Sequence, residues 1–142
     1  MRQKINLITG RLGEYAEKPR EVQELDFWAM YIELLNVRNS VKLDKVEKAV
    51  MANVLAGPYG KSHFGGLLAR KLRTTLRVDA SRLSKLKNSL VLKNFLEDTG
   101  IKGDAVPTRN IMKFQKYVKD NLKYSPEFIF TFAFKLIDND SG

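Results

Sequence analysis

From Leu25 to Leu90 the apolar residues recur at three- and four-residue steps, interrupted between Val37 and Asp44, at Gly57-Pro58 and at Arg77-Val78. That period belongs to α-helices with one buried stripe each, so this half of the chain is expected to be helices joined by short turns. Leu25, Trp28, Ile32 and Leu35 mark a first helix from Leu25 to Val37, and Phe27, Met30, Tyr31 and Leu34 widen its stripe. Asp44 with Glu47 three residues on has the capping-box spacing. It opens a second helix whose Val46, Ala49, Val50 and Val54 share a face until Gly57-Pro58 stops it. A third helix is expected from Ser62 or Phe64 to Thr75, burying Leu68, Leu72 and Leu76. After the short turn Arg77-Val78, Asp79 can cap a fourth helix that turns Leu83, Leu86 and Leu90 inward.

Beyond Leu92 the period changes. Phe95-Leu96, the run Glu97-Asp98-Thr99-Gly100 and the Gly103-Asp104 pair predict a strand, a flexible tip and a return strand. Ile111 to Leu122 is helical again, with Ile111, Phe114, Tyr117 and Val118 on one side. In FIFTFAFKLI the alternation of Phe128, Phe130, Phe132, Phe134 and Leu136 predicts a strand, in preference to the helix start that Ser125-Pro126-Glu127 offers. Residues 3–9 predict a short strand, and Gly10 to Glu24 is polar and irregular with Pro19 as a breaker. No repeat, low-complexity tract or linker divides the chain. The expectation is one domain, 1–142, mainly α with a small β component. It comprises an N-terminal extension with one helix (1–42), a core (43–108) and a C-terminal helix and strand (109–142).

The net charge of +9 is unevenly placed. Residues 61–95 carry Lys61, Arg70, Lys71, Arg73, Arg77, Arg82, Lys85, Lys87 and Lys93 against Asp79 alone, whereas both flanks are nearly balanced. A solvated surface mixes signs, so this segregation points to a polyanionic partner. There are no cysteines, which excludes disulfides and thiol chemistry. The start MRQKINLITG has no long apolar core, and no stretch approaches the ~20 apolar residues of a membrane span. A cytoplasmic protein without membrane attachment is expected.

The stretch RVDASRLSKLKNSLVLKNFLED, residues 77–98, resembles the winged helix-turn-helix proteins of the MarR type. Val78 stands at the β-branched turn position and Asp79 at the cap. Leu83, Leu86 and Leu90 match the core positions, and Lys93-Asn94-Phe95-Leu96 matches the passage into the wing. The likeness covers about residues 43–105. Arg77 replaces the usual turn Gly, Asn94 replaces the Gly at the helix exit, and the expected tip offers Lys102 among Glu97, Asp98 and Asp104 instead of a basic cluster. The resemblance implies a recognition helix, 79–93, lying in the major groove of double-stranded DNA. On a helical wheel, inward leucines leave Ser81, Ser84, Lys85 and Asn88 outward with Arg82 and Ser89 flanking, groups able to reach base edges. Arg70, Lys71, Arg73 and Arg77 would meet backbone phosphates, and Lys61, Lys93 and Lys102 complete the basic set.

The remaining motifs carry less. Gly57-Pro58-Tyr59-Gly60-Lys61-Ser62 has two residues where a phosphate-binding P-loop needs four, and a helix precedes it, so nucleotide binding is not expected. A helix N-terminus beside Lys61 retains the weaker role of holding a DNA phosphate. His63 is the only histidine and has no partner set for a zinc site or a catalytic triad. It is expected at the surface or at a cap. Neither enzymatic activity, nor a metal, nor a cofactor is expected. Phe27, Trp28 and Tyr31 are expected in the core or at a dimer contact. Phe128, Phe130, Phe132 and Phe134 should pair with another strand or bury against a partner subunit. The leading expectation is therefore a DNA-binding regulator or replication accessory, dimeric if it regulates. The alternative is a phage virion or assembly protein that uses the winged helix against other virion proteins. The short, Lys- and Asn-rich chain with extensions at both ends suggests it.

Overall fold

The computed structural model describes residues 21–59, 64, 66–101, 103–128, 130 and 135–138. The expected strand at 3–9 lies outside them, as do Lys61, His63, Lys102, Phe132, Phe134 and the side chain of Leu68. The described chain is mainly helical with one small antiparallel sheet. Its order is α1 (Glu24–Arg38), α2 (Lys45–Ala56), α3 (Gly66–Leu76), α4 (Ala80–Leu92), β1 (Leu96–Asp98), β2 (Ala105–Pro107) and α5 (Arg109–Asn121), with a single 3-10 turn at Leu122–Tyr124.

Local chemistry sets most boundaries. Asp44 accepts from the Glu47 amide at 2.8 Å while the Glu47 carboxylate accepts from the Asp44 amide at 2.9 Å, the reciprocal cap that starts α2. Asp79 accepts from the Arg82 amide at 2.7 Å and starts α4. Both α3 and α4 end on a left-handed residue that is not glycine, Arg77 at φ 58° and Asn94 at φ 65°. In each case the next amide turns back into the helix: Val78 donates to the Arg73 carbonyl at 3.1 Å, and Phe95 to that of Leu90 at 2.9 Å.

Trp28 and Ile32 of α1 pack on Val50, Met51, Val54 and Leu55 of α2. Leu86 and Leu90 of α4, Phe95, Leu96, Ala105 and, from α5, Ile111 and Val118 complete this core. The hairpin pairs Leu96 with Pro107, Glu97 with Val106 and Asp98 with Ala105. Side-chain bonds organise its tip: Asp98 accepts from the Gly100 amide at 3.2 Å, and the Thr99 hydroxyl donates to Asp104 at 3.0 Å.

Three expectations need correction. No strand forms among the described residues of 125–138. Instead the Phe128 ring lies 5.1 Å from Phe27 and 5.8 Å from Phe114, and the Phe130 ring 5.7 Å from Phe27, so α1 and α5 take up these aromatics directly. Leu136, the last residue of the alternation, is 97% exposed. On α5, Tyr117 stands outward and Gln115 is buried in its stead, because its amide can donate to the Leu55 carbonyl at 3.0 Å. Leu25 and Met30, read as part of the apolar stripe of α1, sit at its exposed margin.

Candidate nucleic-acid interface

The basic segment becomes two adjacent helices and the tight turn between them. Leu83, Leu86 and Leu90 are buried and fix the roll of α4. Ser81, Arg82, Ser84, Lys85 and Asn88 are consequently exposed, as the wheel required. On α3, Leu72 is buried, Arg70 and Lys71 are exposed and Arg73 is half-buried. Arg77 projects from the turn at the α3–α4 junction.

Among the described residues the charge on this face has no ion-pair partner. From Lys48 to Leu96 the chain contains one acidic residue, Asp79, and its carboxylate is occupied in capping α4. Among the described residues no ion pair engages Arg70, Lys71, Arg73, Arg77, Arg82, Lys85 or Lys87. The other helices behave differently. Lys48 pairs with Glu33, Lys116 with Asp120 and Lys119 with Glu24. Lys119 also donates to the Ala56 carbonyl at 3.0 Å, placing a cation on the C-terminal end of α2.

An open groove of about 360 Å³ is bounded by Arg70 and Arg73 of α3, by Ala80, Leu83, Ser84 and Lys87 of α4, and by Phe64 and the hairpin-tip Gly103. Lys87 belongs to the basic segment but has no place among the sequence-predicted contact residues. Its signal was there: Ala80, Ser84 and Lys87 follow at four- and three-residue steps, which sets them on one side of α4 beside the leucine stripe. Ser81, Lys85 and Asn88 occupy the outward side.

Lys93 does not belong to this face. Its ammonium lies 2.7 Å from Glu47 and 3.1 Å from the Lys42 carbonyl, and it closes an internal ion pair between α2 and the end of α4. Ser89 donates to the same carboxylate. Burial pushes the Glu47 carboxyl up, but hydrogen bonds from Lys93, Ser89 and the Asp44 amide, with the Lys93 charge, outweigh it and hold its pKa below the ordinary value. A basic residue at the end of α4 is thus committed to an internal ion pair.

Of the aromatic residues expected at a subunit contact, the described ones pack within the chain. Trp28 is fully buried and its indole donates to Glu24 at 3.0 Å. Phe27 and Tyr31 stack with Phe114, Phe128 and Phe130, and burial raises the Tyr31 hydroxyl pKa to about 12. This cluster fastens the C-terminal segment to α1 and α5 of the same chain. Among the described residues no helix is long and apolar enough to cross a membrane. Compared with family models, curated proteins and solved structures, the chain finds no significant match.

Proposed function

We propose that the chain binds double-stranded DNA without catalysing a reaction, as a winged helix-turn-helix protein whose recognition helix is α4. One observation carries this reading: seven cations on α3, the turn and α4 have no ion-pair partner among the described residues. In this reading α2, α3 and α4 are the three helices of the motif and β1–β2 is its wing. The outward Ser81, Lys85 and Asn88 meet base edges in the major groove. Arg70, Lys71, Arg73 and Arg77 neutralise phosphates on the flanking backbone. The hairpin carries exposed Glu97 and Asp98, so it contributes little to phosphate binding.

A fluorescence-anisotropy titration with mixed-sequence duplex DNA at several salt concentrations tests the proposal. Each neutralised phosphate adds about −0.9 to the slope of log K against log salt, and the face supports a slope of roughly −4 to −6. Failure to bind duplex at low salt would overturn it.

A protein partner is the second reading, and the hairpin favours it. Exposed Glu97 and Asp98 stand near Ile101, which is 67% exposed, a mixture suited to a protein surface and unsuited to phosphates. Self-association that Ile101→Ser abolishes, in a chain that ignores duplex DNA, would support this reading against the first.

A further inference from the structure

On the strength of the DNA-binding reading, we infer that the α3–α4 groove is a seat for a single phosphodiester group, held jointly by Arg73 and Lys87 with Ser84 as a neutral donor. Three features set this groove apart from the rest of the basic face. It is concave, at about 360 Å³, where the outward side of α4 is convex. Among the described residues no carboxylate lines it. Among the described cations of the face, Arg73 and Lys87 are half-buried, whereas Arg70, Lys71, Arg77, Arg82 and Lys85 are exposed.

Partial burial decides the chemistry. An exposed cation is hydrated and gains little from a counter-ion, but a cation that has lost part of its hydration gains more from an anion entering its low-dielectric surroundings. Two such groups lining one groove from two helices, with no acid among its described lining residues, leave a demand for one shared anion. Phosphodiester geometry meets it. One non-bridging oxygen takes a guanidinium donor from Arg73, the other takes the Lys87 ammonium, and the Ser84 hydroxyl, one turn along α4, donates to either. Ala80 is small enough to let a backbone approach closely, and Leu83 offers an apolar floor to the adjoining deoxyribose. Each helix supplies one of the two charges, so the seated phosphate ties α3 to α4 and fixes how deeply α4 enters the groove of the duplex.

Sharing has a signature that independent contacts lack. The affinity of the whole chain for a mixed-sequence duplex would be measured for Arg73→Gln, Lys87→Gln and the double variant, with thermal melting confirming the fold. Each single variant is expected to weaken binding about tenfold, the weight of one charge-assisted hydrogen bond. The double variant should lose about 10–20-fold, with the salt slope falling by about one phosphate. A control cycle of Arg73→Gln with Lys85→Gln, the latter on the outward side of α4 and outside the groove, should be additive, and Lys87→Arg should retain most of the affinity. Additive losses near a hundredfold with a slope change of about two would show two separate phosphates and overturn the shared seat. So would full affinity in both single variants, and in either case the DNA reading stands. A wild-type chain with no affinity for duplex overturns both.

Discussion

Arg77 adopts φ 58° at the end of α3, a conformation that costs an L-residue roughly 1 kcal/mol and glycine almost nothing. Its charge stands at the junction of the two basic helices, so the strain and the proposed function meet in one side chain. Arg77→Gly is expected to stabilise the fold by about 0.5–1 kcal/mol while weakening duplex binding severalfold. Asn94→Gly, at φ 65° but off the basic face, should stabilise less and leave binding unchanged. Chemical denaturation beside anisotropy titrations separates the two effects, and a drop in stability for Arg77→Gly would refute the strain argument. Glu47 illustrates a charge committed to folding. Its pKa is lowered in the fold, so its stabilising effect is complete above the unfolded pKa and is lost as pH falls through the folded one. Glu47→Gln should cost about 3 kcal/mol at neutral pH, the low end for a buried pair because Lys93 is partly exposed. It should also flatten the acid side of the stability curve, and an unchanged acid limb in urea melts at several pH values would exclude Glu47 as a source of it.

At the level of elements, α4 divides its sides among distinct tasks. Leu83, Leu86 and Leu90 hold it in the fold, Ala80, Ser84 and Lys87 line the groove with α3, and Ser81, Lys85 and Asn88 face outward. From that division, Lys85→Ala should weaken binding by about 1–3 kcal/mol and relax base preference, while Arg73→Ala weakens all sequences alike. Binding to random and selected duplexes compares them, and identical behaviour of the two variants would undo the assignment of roles. The helices were legible in the sequence because their signals are local: an Asp44–Glu47 box, an Asp79 cap, a leucine at every third or fourth place. The hairpin was legible for the same reason, through the glycines that flank its tip. Lys93 was misread because its partner, Glu47, lies 46 residues away and no spacing rule joins them. Phe128 and Phe130 were misread as a strand because alternation reports that two rings point one way without saying what receives them. Here the receiver is a pair of helices. Gln115 escaped notice because a polar residue is buried only when a distant carbonyl, that of Leu55, is in reach.

Across the whole molecule, cohesion and the exposed positive charge are carried by different side chains. Aromatic packing of α1, α5 and the C-terminal segment, with the ion pairs Lys119–Glu24 and Lys93–Glu47, holds the chain together. The cations of α3, the turn and α4 make no ion pair among the described residues and repel one another. A protein arranged this way should show a double dissociation. Replacing Arg70, Arg82 and Lys85 together by Gln removes three like charges that stabilise nothing, so the melting temperature should hold or rise slightly. The same variant should lose duplex affinity steeply, and its salt slope should shrink by about two to three phosphates. Phe27→Ala should do the opposite. It removes a ring that touches Trp28, Phe114, Phe128 and Phe130, at a cost of about 2–4 kcal/mol, without altering the charge on α3 or α4. Its duplex affinity and salt slope should therefore match the wild type at temperatures where it remains folded. Melting curves and salt-dependent titrations on both variants make the comparison. A triple variant that unfolds would mean these cations support the fold through bonds other than ion pairs. A Phe27→Ala chain that stays folded but loses the salt slope would mean the aromatic cluster positions the basic helices, and the two halves of the molecule would have to be treated as one.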